Sequence, residues 1–318
     1  MEFRRLGRSG LTVSVAGIGC NNFGMRIDEE ASGAVVRAAL DAGVMLFDTA
    51  DVYGNGRSEE FLGRALGAER NRVIIASKFS WPMGQGPYEG GTSRRYIMRA
   101  VEASLRRLGT DYLDLYQVHR PDWETPIEET LDTLNDLIRD GKVRYIGSSA
   151  FTAWQIADAD WTARTRHQSR FISAQNEWSM LERTIEPDVI PACQHFGLGV
   201  LPYFPLANGF LSGKYRRGEP FPSGSRLEAW KDRFGHVASD ENFTRLEQLT
   251  TFANNRGHTM LELAIGWLAT RPVVSSVISG ATTPEQVKAN AAAATAWRLS
   301  DEEMDEVNGI LAPVGYPA

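Results

Sequence analysis

Val44-Met45-Leu46-Phe47-Asp48-Thr49-Ala50-Asp51-Val52-Tyr53, closed by Gly54, is a bulky apolar run that stops at a carboxylate and passes into a polar loop holding a tyrosine. Val44 to Phe47 have the continuous apolarity of a strand covered on both faces, as in a parallel sheet. Asp48 falls where that strand stops. A carboxylate there is costly to bury unless it is paired, so the search for its partner organises the rest of the reading.

The same alternation recurs on both sides of this stretch. Apolar runs at 12–19, 44–47, 73–78, 112–119, 143–148, 171–175, 199–203 and 274–278 read as strands. Helical patterns separate them. Asp28-Glu29-Glu30 suits a helix start, and Gly43 suits its stop. Ser58 to Gly67 reads as a capped helix, Thr92 or Ser93 opens another that runs to Gly109, and Pro126 lies in the first turn of a helix ending at Gly141. Further helices are expected over 152–166, 185–195, 246–255, 259–269, 284–294 and 301–311, and an irregular loop over 205–240. Strand followed by helix eight times, with no break in composition, predicts an α/β fold. The expectation is a single (β/α)8 TIM barrel spanning 1–318, with a long irregular loop after the seventh strand and an extra C-terminal helix. An open doubly wound sheet is the rival. Its dinucleotide fingerprint fails at Gly17-x-Gly19-xxxx-Gly24, where the third glycine comes late and no helix starts at the turn.

Bulk properties narrow the function. The 318 residues carry a net charge of −6 with a pI near 5.5, which leaves no electrostatic footprint for nucleic acid. Cys20 and Cys193 lack CxxC spacing and suit a reducing compartment. The start, Met1-Glu2-Phe3-Arg4-Arg5, lacks a signal-peptide pattern, and no run approaches the ~18 apolar residues of a membrane span. A cytoplasmic protein is expected. His167, His195, His236 and His258 have no metal-ligand spacing, so no metal is expected. Trp81, Tyr88 and Trp178 suit either a substrate pocket or the core.

In a barrel, active sites form at the C-terminal ends of the strands. Asp48, Lys78 and His119 each follow an apolar strand, and Tyr53 lies just past Asp48. A lysine ammonium favours the phenolate of a nearby tyrosine and is expected to lower its pKa; Asp48 would be the counter-charge of the lysine. A histidine at the same rim can hydrogen-bond a carbonyl oxygen. Such a set protonates that oxygen while hydride arrives at carbon. No side chain donates hydride, so a nicotinamide dinucleotide is implied.

These motifs resemble those of the aldo-keto reductase family. The resemblance rests on Phe47 to Gly54, Ile75-Ala76-Ser77-Lys78, Leu113 to His119, Gln175-Asn176-Glu177, Tyr203 to Ala207 with Gly209-x-Leu211-x-Gly213-Lys214-Tyr215, and Gly280-Ala281-Thr282-x-Pro284-Glu285-Gln286-Val287 with Asn290. It implies that Tyr53 is the general acid, tuned by Lys78 and Asp48, with His119 orienting the carbonyl. Ser149 and Gln175 would hold the nicotinamide amide, and Tyr203 would stack on its ring. The main chain from Pro205 and Leu206 through Gly209, Gly213 and Lys214 would cradle the pyrophosphate. Gly280, Thr282, Gln286 and Asn290 would face the adenosine half. Ala150 stands where relatives usually have asparagine, and no basic residue lies in 279–286. Arg226 and Lys214 are then the candidates for a ribose 2′-phosphate, which favours NADP(H), with NAD(H) possible. The implied activity is reduction of a small-molecule aldehyde or ketone to an alcohol. The alternative is a cofactor-binding regulatory or sensor subunit of the channel-β-subunit type, with little turnover.

Overall fold

The computed structural model describes residues 1–312; the last six positions of the expected 1–318 domain lie outside it. Ten strands occur among the described residues: β1 Phe3–Arg5, β2 Thr12–Ser14, β3 Ala16–Gly19, β4 Leu46–Asp48, β5 Ile74–Phe79, β6 Leu113–Val118, β7 Val143–Ser149, β8 Ser173–Gln175, β9 Gly199–Val200 and β10 Val277–Gly280. The last eight form one parallel sheet in the order β10-β3-β4-β5-β6-β7-β8-β9. Its two ends meet. Val200 N–H donates to Val273 O at 2.8 Å and Ile278 N–H to Pro202 O at 3.1 Å, and Tyr203 pairs with Ile278. The expected eight-stranded barrel is therefore the fold observed, and the open sheet is excluded.

The helices are α1 Glu29–Asp41, α2 Arg57–Leu66, α3 Arg94–Leu108, α4 Ile127–Arg139, α5 Ala153–Thr165, α6 Val189–Phe196, α7 Arg226–Ala229, α8 Lys231–Phe234, α9 Asp240–Asn254, α10 Met260–Ala269, α11 Pro284–Ala296 and α12 Asp301–Leu311. Their starts follow from local chemistry. Asp28 accepts from Ala31 N–H, Ser93 from Tyr96 N–H, and Thr283 from Gln286 N–H, with Pro284 in the first turn of α11. Thr259 with Glu262 and Ser300 with Glu303 make capping boxes for α10 and α12.

Three expectations need correction. The run 12–19 is two strands, because the chain turns at Val15 and β2 pairs antiparallel with β1. This hairpin closes the bottom of the barrel: Leu6, Leu11 and Val13 join Leu46, Ala76, Leu115, Leu201 and Ile278 in an interior cluster. Gly7 (φ 57°) makes the close approach possible, since a Cβ there would lie 2.5 Å from Ile172 O. Ser58 is not a cap but lies inside α2, buried, donating to Cys20 O at 2.8 Å. The stretch 205–240 is not wholly irregular. It carries a 3-10 turn at Ala207–Ser212, α7, α8 and a further 3-10 turn at Gly235–Ala238. Four-residue helices show no periodicity from which to predict them.

Gly63 brings α2 against α3: a Cβ there would meet Leu108 O at 2.4 Å. Gly to Ala in an isolated helix would stabilise by about 1 kcal/mol, whereas the clash is with main chain and cannot be relieved by a rotamer. Gly63→Ala is therefore expected to destabilise by roughly 1–3 kcal/mol in urea denaturation. A more stable variant would show the two helices packed further apart.

Candidate active site

β4, β5 and β6 end side by side at the top of the barrel. Asp48 is in register with Ala76, and Lys78, two residues further along β5, is in register with Gln117 of β6. Period-two alternation turns Ala76 and Lys78 to the same face, the interior. Lys78 is fully buried. Its ammonium donates to Asp48 Oδ2 at 2.6 Å and Thr49 O at 2.9 Å, and contacts Tyr53 OH at 3.4 Å. The His119 ring stands edge-on to the Tyr53 ring, centroids 5.6 Å apart. Asp48, Tyr53, Lys78 and His119 thus meet in one place, although they are far apart along the chain.

The charges explain themselves. Burial opposes the Lys78 charge, but Asp48 and Tyr53 outweigh it and hold its pKa above the usual lysine value. Burial raises the Tyr53 pKa, and the opposing pull of Lys78 is not enough to reverse it. The expectation of a lowered tyrosine pKa is therefore corrected: desolvation outweighs the neighbouring cation, and Tyr53 keeps its proton at neutral pH. Burial, then Lys78 and Arg120, push His119 well below the ordinary histidine range, so the imidazole is neutral. Its buried Nδ1 has no hydrogen-bond partner among the described residues.

Asp48 has two more partners. Gln117 Nε2 donates to Oδ1 at 3.2 Å and Gln175 Nε2 to the same atom at 2.8 Å. Gln175 therefore touches Asp48 directly, a contact the sequence did not suggest. Gln117 was missed altogether; its signal was position, two residues before His119 and so on the same strand face. Ser149, buried at the end of β7, is in register with Gln175. Ala150 follows with φ 56°, a left-handed conformation that asparagine tolerates better than alanine. Burial, with Glu177 and Tyr53, pushes Tyr203 up to about 12.

A second cluster lies along the turn after β9. Phe204, Ala207, Asn208, Gly209 and Gly213 all have φ between 44° and 93°, curling the chain that includes Pro205 and Leu206. Arg226, from the start of α7, donates to Asn22 Oδ1 at 3.1 Å and Asn21 Oδ1 at 3.3 Å. It abuts Gly280, where a Cβ would lie 3.5 Å from its Nη2. Arg26 donates to Gly224 O at 2.7 Å. Burial, then Arg26, lowers Arg226 to about 10, and burial with both arginines lowers Lys214. No carboxylate pairs with Arg26, Lys214 or Arg226 among the described residues. Arg26 and Arg226 are half-buried with only neutral acceptors, and Lys214 is exposed beside them; cations so placed favour an anion, so the donor set fits the phosphates of a dinucleotide. Thr282 and Gln286 bond one another, Thr282 N–H donating to Gln286 Oε1 at 2.9 Å. Asn290 is buried in α11.

Two of the three aromatic candidates separate from the third. Trp178 is core, packed against Trp267 and bonded to Glu186. Trp81 and Tyr88 are exposed, and the Trp81 ring stands perpendicular to His119, centroids 6.4 Å apart. Cys20 is buried in the core. No helix among the described residues is long and apolar enough to cross a membrane.

Comparison with known proteins identifies relatives of the chain. The profile described as "Aldo/keto reductase family" matches residues 16–312. A protein of Oryza sativa subsp. japonica described as "Probable voltage-gated potassium channel subunit beta" is 38% identical over 98% of this chain and 97% of its own. A protein of the same description from Arabidopsis thaliana is 39% identical over 91% of this chain and 90% of its own. "Uncharacterized oxidoreductase YrpG" of Bacillus subtilis (strain 168) is 35% identical over 91% of this chain and 89% of its own.

Behind the tyrosine loop, Asp51 is buried, its Oδ1 without a partner among the described residues, and Tyr96 OH reaches its Oδ2 at 3.3 Å. Burial, then the nearby Glu59, raises Asp51 to about 7. The folded protein therefore holds a proton that the unfolded chain releases near pH 4. Stability should fall as pH rises between those values. Asp51→Asn is expected to flatten that slope in thermal melts at pH 5 to 8 and to be the more stable protein at pH 8. An unchanged slope would contradict this.

Proposed function

Because the chain belongs to the aldo/keto reductase family, we propose that it is an NADP(H)-dependent reductase of aldehyde or ketone carbonyls. Family membership carries oxidoreductase chemistry with NAD(P)H in general; the assignment to particular residues is our reading. It rests on one observation: a buried ammonium held between a carboxylate at 2.6 Å and a tyrosine hydroxyl at 3.4 Å.

A bound nicotinamide would supply hydride to the carbonyl carbon. Tyr53, protonated at neutral pH, is the general acid that gives its proton to the carbonyl oxygen. Lys78 then faces the phenolate left behind and stabilises it. Asp48 keeps Lys78 charged, and Gln117 and Gln175 hold Asp48 in place. Neutral His119 orients the carbonyl by donating a hydrogen bond to its oxygen. Ser149 and Gln175 are proposed to hold the nicotinamide amide, and Tyr203 to stack on its ring. The turn from Pro205 to Lys214 is proposed to cradle the pyrophosphate, with Gly280, Thr282, Gln286 and Asn290 at the adenosine half. The unpaired cations Lys214 and Arg226, with Arg26, favour NADP(H) through its extra phosphate. We place the protein in the cytoplasm, a reducing compartment in which its two buried cysteines, Cys20 and Cys193, stay as free thiols.

A second reading has support of its own, since the rice and Arabidopsis relatives are described as channel β subunits. On that reading the protein binds NADPH tightly and turns over little. Tight NADPH binding without reduction of 4-nitrobenzaldehyde or methylglyoxal would favour it.

Tyr53→Phe should lower NADPH-dependent carbonyl reduction by about 10²–10⁴-fold while leaving NADPH affinity, read by fluorescence titration, close to wild type. Turnover retained in this variant would remove Tyr53 as the acid.

A further inference from the structure

We propose that Arg120 anchors an anionic group on the substrate, so that this site selects aldehydes or ketones that also carry a carboxylate or a phosphate. The proposal rests on the carbonyl-reductase reading above and adds a substrate class to it.

Arg120 directly follows His119 at the end of β6. Its guanidinium carbon lies 3.8 Å from the centroid of the Trp81 ring. Trp81 is 41% exposed and its ring stands perpendicular to His119. The guanidinium therefore sits over an indole that borders the imidazole proposed to orient the carbonyl. Stacking of this kind holds a guanidinium in place while leaving its N–H edge available. Among the described residues Arg120 enters no ion pair, and its side chain donates no hydrogen bond to protein. The nearest acid in sequence, Asp122, is committed elsewhere: it accepts from Thr92 N–H at 2.8 Å, Glu124 N–H at 3.0 Å and Thr125 Oγ1 at 2.8 Å. The other cation of the site, Lys78, is neutralised by Asp48. Arg120 is left as the uncompensated charge beside His119, whose proton affinity it lowers.

The platform is held rigidly. Ser80 leaves β5 with φ 117°, a backbone conformation that non-glycine residues rarely adopt. It is buried; its hydroxyl donates to Arg120 O at 3.1 Å, and its own carbonyl accepts from Gly91 N–H at 2.8 Å. Tyr96 OH donates to Trp81 O at 3.1 Å. One strained residue thus ties the Trp81 loop to the Arg120 loop. Strain kept at the mouth of a site is a mark of a preorganised contact. A planar guanidinium so fixed matches the two oxygens of a carboxylate or phosphate.

Binding to the NADP+-loaded protein, in which reduction cannot proceed, isolates this contact. Calorimetric affinities for 4-carboxybenzaldehyde and 4-nitrobenzaldehyde compare an anionic with a neutral group on one scaffold. A second pair, glyceraldehyde 3-phosphate and glyceraldehyde, does the same for phosphate; the pair with the larger preference identifies the anion. The wild type should prefer the anionic member. Arg120→Leu should weaken binding of that member about 10–100-fold and leave the neutral member within about twofold, with Arg120→Lys in between. An anionic preference unchanged in Arg120→Leu, with melting curves showing it folded, would overturn the proposal. Turnover of 4-nitrobenzaldehyde reports separately on the reductase reading. If it is absent while the charge preference persists and depends on Arg120, the anion site stands and the reaction assignment falls.

Discussion

A lysine ammonium sealed inside a barrel is the constraint on which this site depends. Lys78 has no access to solvent, and a buried ion without a partner costs several kcal/mol. Three oxygens meet it: Asp48 Oδ2, Thr49 O and Tyr53 OH. Each comes from the segment 48–53, so β4 and the loop after it are folded around one charge on β5. The carboxylate must in turn be satisfied, and Gln117 and Gln175 do that from β6 and β8. Four strands of the barrel thereby share one polar knot at their C-terminal ends. Moving any one of them would leave a buried charge or amide unpaired.

The site divides its charges into two kinds. Lys78 is compensated inside the protein and serves to position and tune. Arg26, Lys214, Arg226 and Arg120 have no acidic partner among the described residues, and they lie where we propose that substrate and dinucleotide bind. Other arginines, such as Arg8 and Arg37, also lack an acidic partner among the described residues, so these four are distinguished by their position at the top of the barrel and not by being unpaired. The uncompensated cations are best read as binding groups for anions supplied from outside.

Much of this was legible in the sequence, for physical reasons. Strands covered on both faces are apolar throughout, so their polar ends stand out, and Asp48, Lys78 and His119 were visible as such. Side-chain contacts within the barrel were not. Gln117 was marked only by its place two residues before His119, and Gln175 showed no sign that it would bond Asp48. The hairpin that plugs the barrel was hidden because Val13, Val15 and Ile18 form one apolar run across a turn. Arg120 and Ser80 lacked any signal: a stacked guanidinium and a strained φ belong to three-dimensional geometry. The direction of the Tyr53 shift was misjudged for the same reason, since the extent of burial decides it and a sequence does not state burial.

An NMR titration of the Lys78 side chain, in the wild type and in Asp48→Asn, tests the hold of Asp48 on the ammonium most directly. Wild-type Lys78 is expected to stay charged beyond the usual lysine pKa of about 10.4, and removing the carboxylate should move its titration to markedly lower pH. The same titration in both proteins would show that Asp48 does not hold the ammonium, and the knot described here would not be what organises the site.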